Sequence, residues 1–175
     1  NNGIDDITVN LLHTLDIAHK FNPAGVGADK LVTGLVPAVR DTVDIDGGGS
    51  FDLVTVNMTG TTDYIINVHD TGAGGDGSDT LVINGTSADD TFLLREKFVA
   101  LLQPTGFDAQ DRPVLPVNSN YERVNYDRTI EMLRVNSGNG NDRFYLDDNS
   151  AATTVSMGIG NDKFQVGQLF GSLRD

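Results

Sequence analysis

With 175 residues and 38% hydrophobic side chains, the chain is long enough to bury a core as one domain or one elongated array, and its 20 glycines favour short strands and tight turns over a helical bundle. Its 25 acidic residues outnumber 12 basic ones, and the formal charge of −13 excludes nucleic acid and anionic membranes, both of which it would repel. The chain lacks cysteine, which removes thiolate metal sites and cysteine nucleophiles, and no apolar run reaches the length of a bilayer-spanning helix, so no membrane insertion is expected.

From the N-terminus, Gly3-Ile4-Asp5-Asp6 leads into a short strand at Ile7–Val9. The chain begins at Asn1 without a methionine or signal peptide, which reads as a segment of a longer protein or a processed product. Leu11 to Lys20 carries a weak 3.6-residue period and reads as either a short helix or a loosely paired strand. Gly25-Val26-Gly27-Ala28-Asp29 is a faint turn signal. Strands are then expected at Thr42–Ile45, Leu53–Asn57, Tyr64–Val68, Thr80–Ile83 and Thr91–Leu94, all β-branched or aromatic runs bounded by Gly, Asn, Asp and Ser. Three follow a glycine-acid turn: Gly47-Gly48-Gly49-Ser50-Phe51-Asp52, Gly75-Asp76-Gly77-Ser78-Asp79 and Gly85-Thr86-Ser87-Ala88-Asp89-Asp90. Residues 95–121 contain Pro104, Pro113 and Pro116 with little alternation, and read as an insertion loop that leaves the array and either covers one of its edges or contacts a neighbour. Strands resume at Arg123–Tyr126, Met132–Asn136, Arg143–Leu146, Thr153–Met157 and Lys163–Val166. The chain thus divides into degenerate units over 1–94, the insertion at 95–121 and further units over 122–175.

One phrase occurs twice in that last part. Gly138-Asn139-Gly140-Asn141-Asp142-Arg143-Phe144 returns as Gly158-Ile159-Gly160-Asn161-Asp162-Lys163-Phe164, a glycine turn, an acidic corner and a strand. Aligned on the acid, the copies fall at Asp5, Asp29, Asp52, Asp79, Asp90, Asp142 and Asp162, with gaps of 24, 23, 27, 11, 52 and 20 residues. Most gaps are one turn of a stacked architecture, 11 is half a turn and 52 is two. In each unit the alternation points one way. Val54 and Val56, Leu81 and Ile83, Phe92 and Leu94, Phe144 and Leu146, and Phe164 and Val166 share a face that forms the dry interior, and Arg143, Tyr145, Lys163 and Gln165 point outward. The predicted fold is all-β, a parallel β-helix or β-solenoid with a looped-out insertion.

Glycines at alternate positions leave carbonyl oxygens unshielded, and Asp or Asn adds side-chain oxygens; stacked corners of this kind offer a nest for Ca²⁺, which takes six to eight oxygen ligands. The two strict copies resemble the hemolysin-type (RTX) calcium-binding repeats of secreted bacterial proteins, and the phrases around them, Val124-Asn125-Tyr126 before and Phe164 to Ser172 after, resemble recurring modules of very large bacterial surface or exported proteins, over roughly residues 122–172 in all. That resemblance implies a parallel β-roll with Ca²⁺ in its turns. It sets Gly138, Gly140, Asn141 and Asp142 against Gly158, Gly160, Asn161 and Asp162 around an ion, with Asp79 and Asp90 as second-rank ligands beside Asp52, Asp76 and Asp89. RTX arrays repeat every nine residues, whereas Asp142 and Asp162 lie twenty apart with no glycine corner between them. A ladder of turns in which Asn and Asp bond only to backbone needs no metal.

Asp44-Ile45-Asp46-Gly47 opens like an EF-hand loop but has Thr55 where the bidentate glutamate belongs, and no nucleophile–base–orienter set is present. The expected function is therefore non-enzymatic: a calcium-stabilised structural segment of an extracellular or cell-surface bacterial protein, for adhesion or assembly into fibres. Its partners would be neighbouring repeats, copies of itself, or cell-surface polysaccharide. One alternative is a polysaccharide-binding or polysaccharide-cleaving β-helix module using an outward stripe of Arg123, Tyr126, Arg128 and Tyr145. Another is a metal-free, self-assembling filament subunit.

Overall fold

The computed structural model describes residues 3–10, 42–72, 77–116 and 121–167. Leu11–Lys20, the turn at 25–29, Asp76 and residues 168–172 lie outside them. The described chain is all-β and contains no helix, hence none able to cross a membrane.

Its fourteen strands alternate between two open sheets and a small hairpin. The first sheet holds β1 (Asp6–Asn10), β3 (Leu53–Asn57), β5 (Thr80–Asn84), β11 (Met132–Asn136) and β13 (Ala152–Ser156), in that order and all parallel. These strands share one sequence form, with apolar residues at the second and fourth positions of the first four. Register turns the form into columns. Ile7, Val54, Leu81, Leu133 and Thr153 align, as do Val9, Val56, Ile83, Val135 and Val155. The central members of both columns are fully buried, each worth about 1.5–3 kcal/mol of apolar transfer.

The second sheet runs β14 (Lys163–Val166), β12 (Arg143–Leu146), β6 (Thr91–Arg95), β7 (Phe98–Leu102), β10 (Tyr121–Tyr126), β4 (Tyr64–His69) and β2 (Thr42–Asp46). All pairs are parallel except those of β7, which is antiparallel to both neighbours. One inward column reads Val166, Leu146, Leu94, Val99, Val124, Ile66, Val43; the next reads Phe164, Phe144, Phe92, Leu101, Glu122, Tyr64. The inward residues of both sheets form one apolar cluster.

The stretch at 95–121, expected to loop out, enters the sheet instead. Phe98–Leu102 is a strand buried on both faces, because Phe98, Ala100 and Leu102 join Leu93 and Tyr145 in a second cluster on the far side. That face is why the run Phe-Val-Ala-Leu-Leu shows no alternation. Of its described residues, the run 103–116, with the hairpin β8 (Gly106–Phe107) and β9 (Pro113–Val114), leaves the sheet. Tyr145 is on the outward face, as expected, but it is covered there and only 3% exposed.

Strands β7 and β10 widen one sheet only. β3 and β5 are direct neighbours, whereas β4 and β6 stand three strand spacings apart, roughly 14 Å.

Candidate functional site: the glycine-aspartate corners

The residues that precede β1, β3, β5, β6 and β12 have N–H groups beyond the end of the sheet ladder, where they need acceptors. The acid in the next strand's corner supplies one. Asp5 N–H donates to Asp52 Oδ1 (2.7 Å), Asp52 N–H to Asp79 Oδ1 (2.9 Å) and Asp79 N–H to Glu131 Oε2 (2.8 Å). At the second sheet, Asp90 N–H donates to Asp142 Oδ1 (2.9 Å) and Asp142 N–H to Asp162 Oδ1 (3.0 Å). Such bonds are charge-assisted, and Asp52, Asp79, Asp90 and Asp142 make them while buried. An outer pair runs beside them: Asn141 N–H to Asp89 Oδ1 (2.7 Å), and Asn161 N–H to Asn141 Oδ1 (3.0 Å). At the other end of the first sheet the amides of Asn10, Asn57, Asn84 and Asn136 form a chain, each Nδ2 donating to the preceding Oδ1 (2.6–2.8 Å).

The glycines let these corners stack. Gly138 and Gly158 have φ of +103° and +76°, which side chains rarely adopt. A Cβ on Gly138 would lie 1.9 Å from Thr86 O, and one on Gly158 would lie 1.6 Å from Gly138 O. Gly140 and Gly160 are packed the same way against Ala88 O and Gly140 O. A short ladder closes between the corners, with Ile159 N–H donating to Gly138 O (3.2 Å) and Gly140 N–H to Ile159 O (3.0 Å).

The eight residues at 138–142 and 158–162 that the sequence pairs are therefore in register. Asp90 shares their column, and Asp79 belongs to the column of the other sheet. The oxygens they bring together are largely occupied by N–H donors: Gly138 O, Asp142 Oδ1, Asn141 Oδ1 and Asp162 Oδ1 all accept bonds. Among the described residues no group of three or more His, Asp or Glu side chains converges on a cation position. Asp142 Oδ2 and Asp52 Oδ2 are buried without a hydrogen-bond partner. Burial, above all, lifts the Asp90 carboxyl to about 6, against the opposing bonds from Thr86 N–H (2.7 Å) and its hydroxyl (3.0 Å).

Glu122, which sequence reasoning passed over, is the most heavily bonded side chain of the region. It is fully buried in an inward column and accepts five bonds: from Thr59 N–H (2.8 Å) and hydroxyl (2.6 Å), Thr62 N–H (3.1 Å) and hydroxyl (2.7 Å), and Tyr64 OH (2.9 Å). Burial opposes its ionisation, but the Thr59 and Thr62 bonds outweigh it and hold the carboxyl below its ordinary range. A residue of β10 thereby fixes the turn between β3 and β4. Where β7 and β10 part β4 from β6, the turns at 59–61 and 86–90 diverge and leave an open cleft of about 450 Å³. Leu101 and Leu102 line it, and Phe107 and Arg143 stand beside them.

The 103–116 excursion is pinned to the C-terminal strands at Asp111. Lys163 Nζ (2.7 Å) and an Arg143 guanidinium N–H (3.2 Å) reach its carboxylate, Tyr145 OH donates to its carbonyl (2.8 Å), and Arg143 lies over the Phe107 ring. The outward stripe of the polysaccharide alternative makes contacts within the chain. Tyr126 and Tyr145 are buried with their hydroxyls on backbone carbonyls, Arg123 lies over Phe98, and Arg128 pairs with Glu96. No protein-family model matches the chain, and no curated protein or solved structure is significantly similar to it.

Proposed function

We propose that the chain is a non-enzymatic structural segment that coils between its two sheets as a β-solenoid, each turn fastened to the next by corner hydrogen bonds. The single observation that carries this reading is the continuous N–H-to-carboxylate ladder from Asp90 through Asp142 to Asp162, backed by carbonyl-on-glycine packing at 138 and 158. The acidic corner residues act as acceptors for the neighbouring turn, which gives them a role without any reaction. The setting that suits such a segment is the surface of a bacterial cell, within a large exported protein where repeats adjoin repeats. Screening the protein against acidic and neutral polysaccharides tests this directly: the structural reading expects neither turnover nor saturable binding, and turnover would replace it with the enzyme reading.

Calcium stabilisation is the second reading, favoured by one observation. Asp142 Oδ2 and Asp52 Oδ2 are buried carboxylate oxygens with no donor, and a cation beside them would remove that cost. Melting in chelator against melting in added Ca²⁺ separates the two readings. The ladder reading expects the same transition in both, and the calcium reading expects chelation to lower it.

A further inference from the structure

The turns at 59–61 and 86–90 diverge around a cleft of about 450 Å³, which is the size of a small-molecule site, and its lining is of two kinds. Leu101, Leu102, Pro104 and Phe107 supply apolar wall, while Asp89 and Asp90 supply carboxylates. Gly60 lies where the two meet. A Cβ there would stand 3.9 Å from Leu101 Cδ2 and 3.9 Å from Asp90 Oδ1.

We propose that this cleft binds an aliphatic primary ammonium, free or as a lysine side chain, with its head at Asp89 and Asp90 and its stem along the apolar wall. The ligand is additional to the structural role given above and does not depend on it. Charge selects the head. Two acids line the cleft, and the charges of Asp142, in the β12 corner, and Glu122, on β10, also act on Asp90. Arg143 is the one base among the described residues that line it. Its guanidinium shares the Asp111 carboxylate with Lys163 and lies 3.8 Å over the Phe107 ring, so its charge is already answered. An anion would meet the two carboxylates, whereas a cation is drawn to them.

Both acids keep capacity for such a head. Asp89 is exposed, and the two bonds that Asn141 donates, at 2.7 and 3.3 Å, both go to Oδ1, which leaves Oδ2 free of them. Asp90 is only 5% exposed and accepts from Thr86; a cation beside it offsets the cost of holding its charge away from water. An ammonium brings three N–H donors to these acceptors. The wall selects the stem. A bare ion leaves the leucine, proline and phenylalanine surface facing water, whereas a short methylene chain covers it while its head stays at the acids.

An NMR titration of backbone amide shifts tests the site residue by residue. The probes are Nα-acetyl-lysine methylamide and n-pentylamine, and the control is Nα-acetyl-norleucine methylamide, which has the lysine stem without the ammonium. Buffer well above pH 6 keeps Asp90 ionised, since burial lifts its carboxyl to about 6. An ammonium probe should shift Thr61, Asp89, Leu102 and Phe107 saturably, more weakly in added salt, and the norleucine amide should not. Asp89→Asn removes one exposed charge and should raise Kd about two- to fivefold. Thr61→Lys, at an exposed lining position, brings a competing ammonium and should raise it as well. Binding of n-pentylamine as tight as that of the lysine amide supports a free amine as ligand, and binding of the lysine amide alone supports a lysine of another chain. The proposal is overturned if neither probe shifts these amides saturably, if the norleucine amide shifts them equally, or if Asp89→Asn leaves Kd unchanged. Should Asp89→Asn disturb the corner, Thr61→Lys decides in its place, and an unchanged Kd there overturns the proposal. All of these results leave the coil reading standing, since that reading depends on contacts within the chain.

Discussion

Four glycines, inside and outside the corners, isolate why glycine is needed there. A Cβ on Gly106 meets nothing within 4 Å, and its φ is not left-handed. Gly167 has φ of +119° but open space. Gly77 lacks the left-handed φ, yet its Cβ would lie 1.9 Å from Ser50 O. Gly138 has both problems, with φ of +103° and Thr86 O at 1.9 Å. Substituting alanine at Gly106 should leave stability unchanged or raise it by about 0.4–1 kcal/mol through the unfolded chain. At Gly167 the left-handed backbone should cost about 1–2 kcal/mol. At Gly77 no rotamer moves a backbone carbonyl aside, so the corner must separate; losing one or two of its hydrogen bonds costs roughly 1–3 kcal/mol. At Gly138 the two costs combine to about 2–5 kcal/mol. Urea unfolding reads these as shifts in midpoint at unchanged slope. If Gly138→Ala were no worse than Gly167→Ala, close stacking of the corners would be wrong.

Glu122→Gln replaces an acceptor-only carboxylate with an amide whose NH₂ faces donors, and should destabilise by about 3 kcal/mol or more in the same assay. Because the Glu122 carboxyl is depressed in the folded chain, its contribution is present above the ordinary glutamate range and is lost as pH falls through the lower folded value. Asp90 works in the other direction. Its carboxyl rises from 3.8 to about 6, so the unfolded chain releases this proton first, and stability from this group falls as pH rises from about 4 to 6. The effect is at most about 3 kcal/mol, and Asp90→Asn should flatten that part of the pH profile. Asp111→Ala removes two partly exposed ion pairs and should leave the thermal or urea midpoint nearly unchanged, because solvent screens both pairs.

Much of the strand pattern was legible because alternation and the glycine-acid turns mark it. Leu53–Asn57, Tyr64–His69 and Thr80–Asn84 are buried on one face for most of their length, so period two survives in their sequences. Phe98–Leu102 is buried on both faces, which erases the period, and nearby prolines disguise it as loop. Glu122 carried a signal that was present but unread: in Tyr121–Tyr126 it falls in phase with Val124 and Tyr126, a charge at a core position. The corner residues were legible as corners, but their bonding was not. Whether an aspartate faces a cation or the N–H of a residue 20 or 52 positions away depends on strand register, which no local pattern encodes. The cleft likewise follows from which strands become neighbours.

The N–H groups of Asp52, Asp90 and Asp142 donate to carboxylates rather than to the sheet, so their hydrogen exchange reports the ladder directly. Measured by NMR in calcium-free buffer, they should be as slow as amides in the centres of β3 and β12. Fast exchange at these three positions, slowed only when Ca²⁺ is added, would contradict the account.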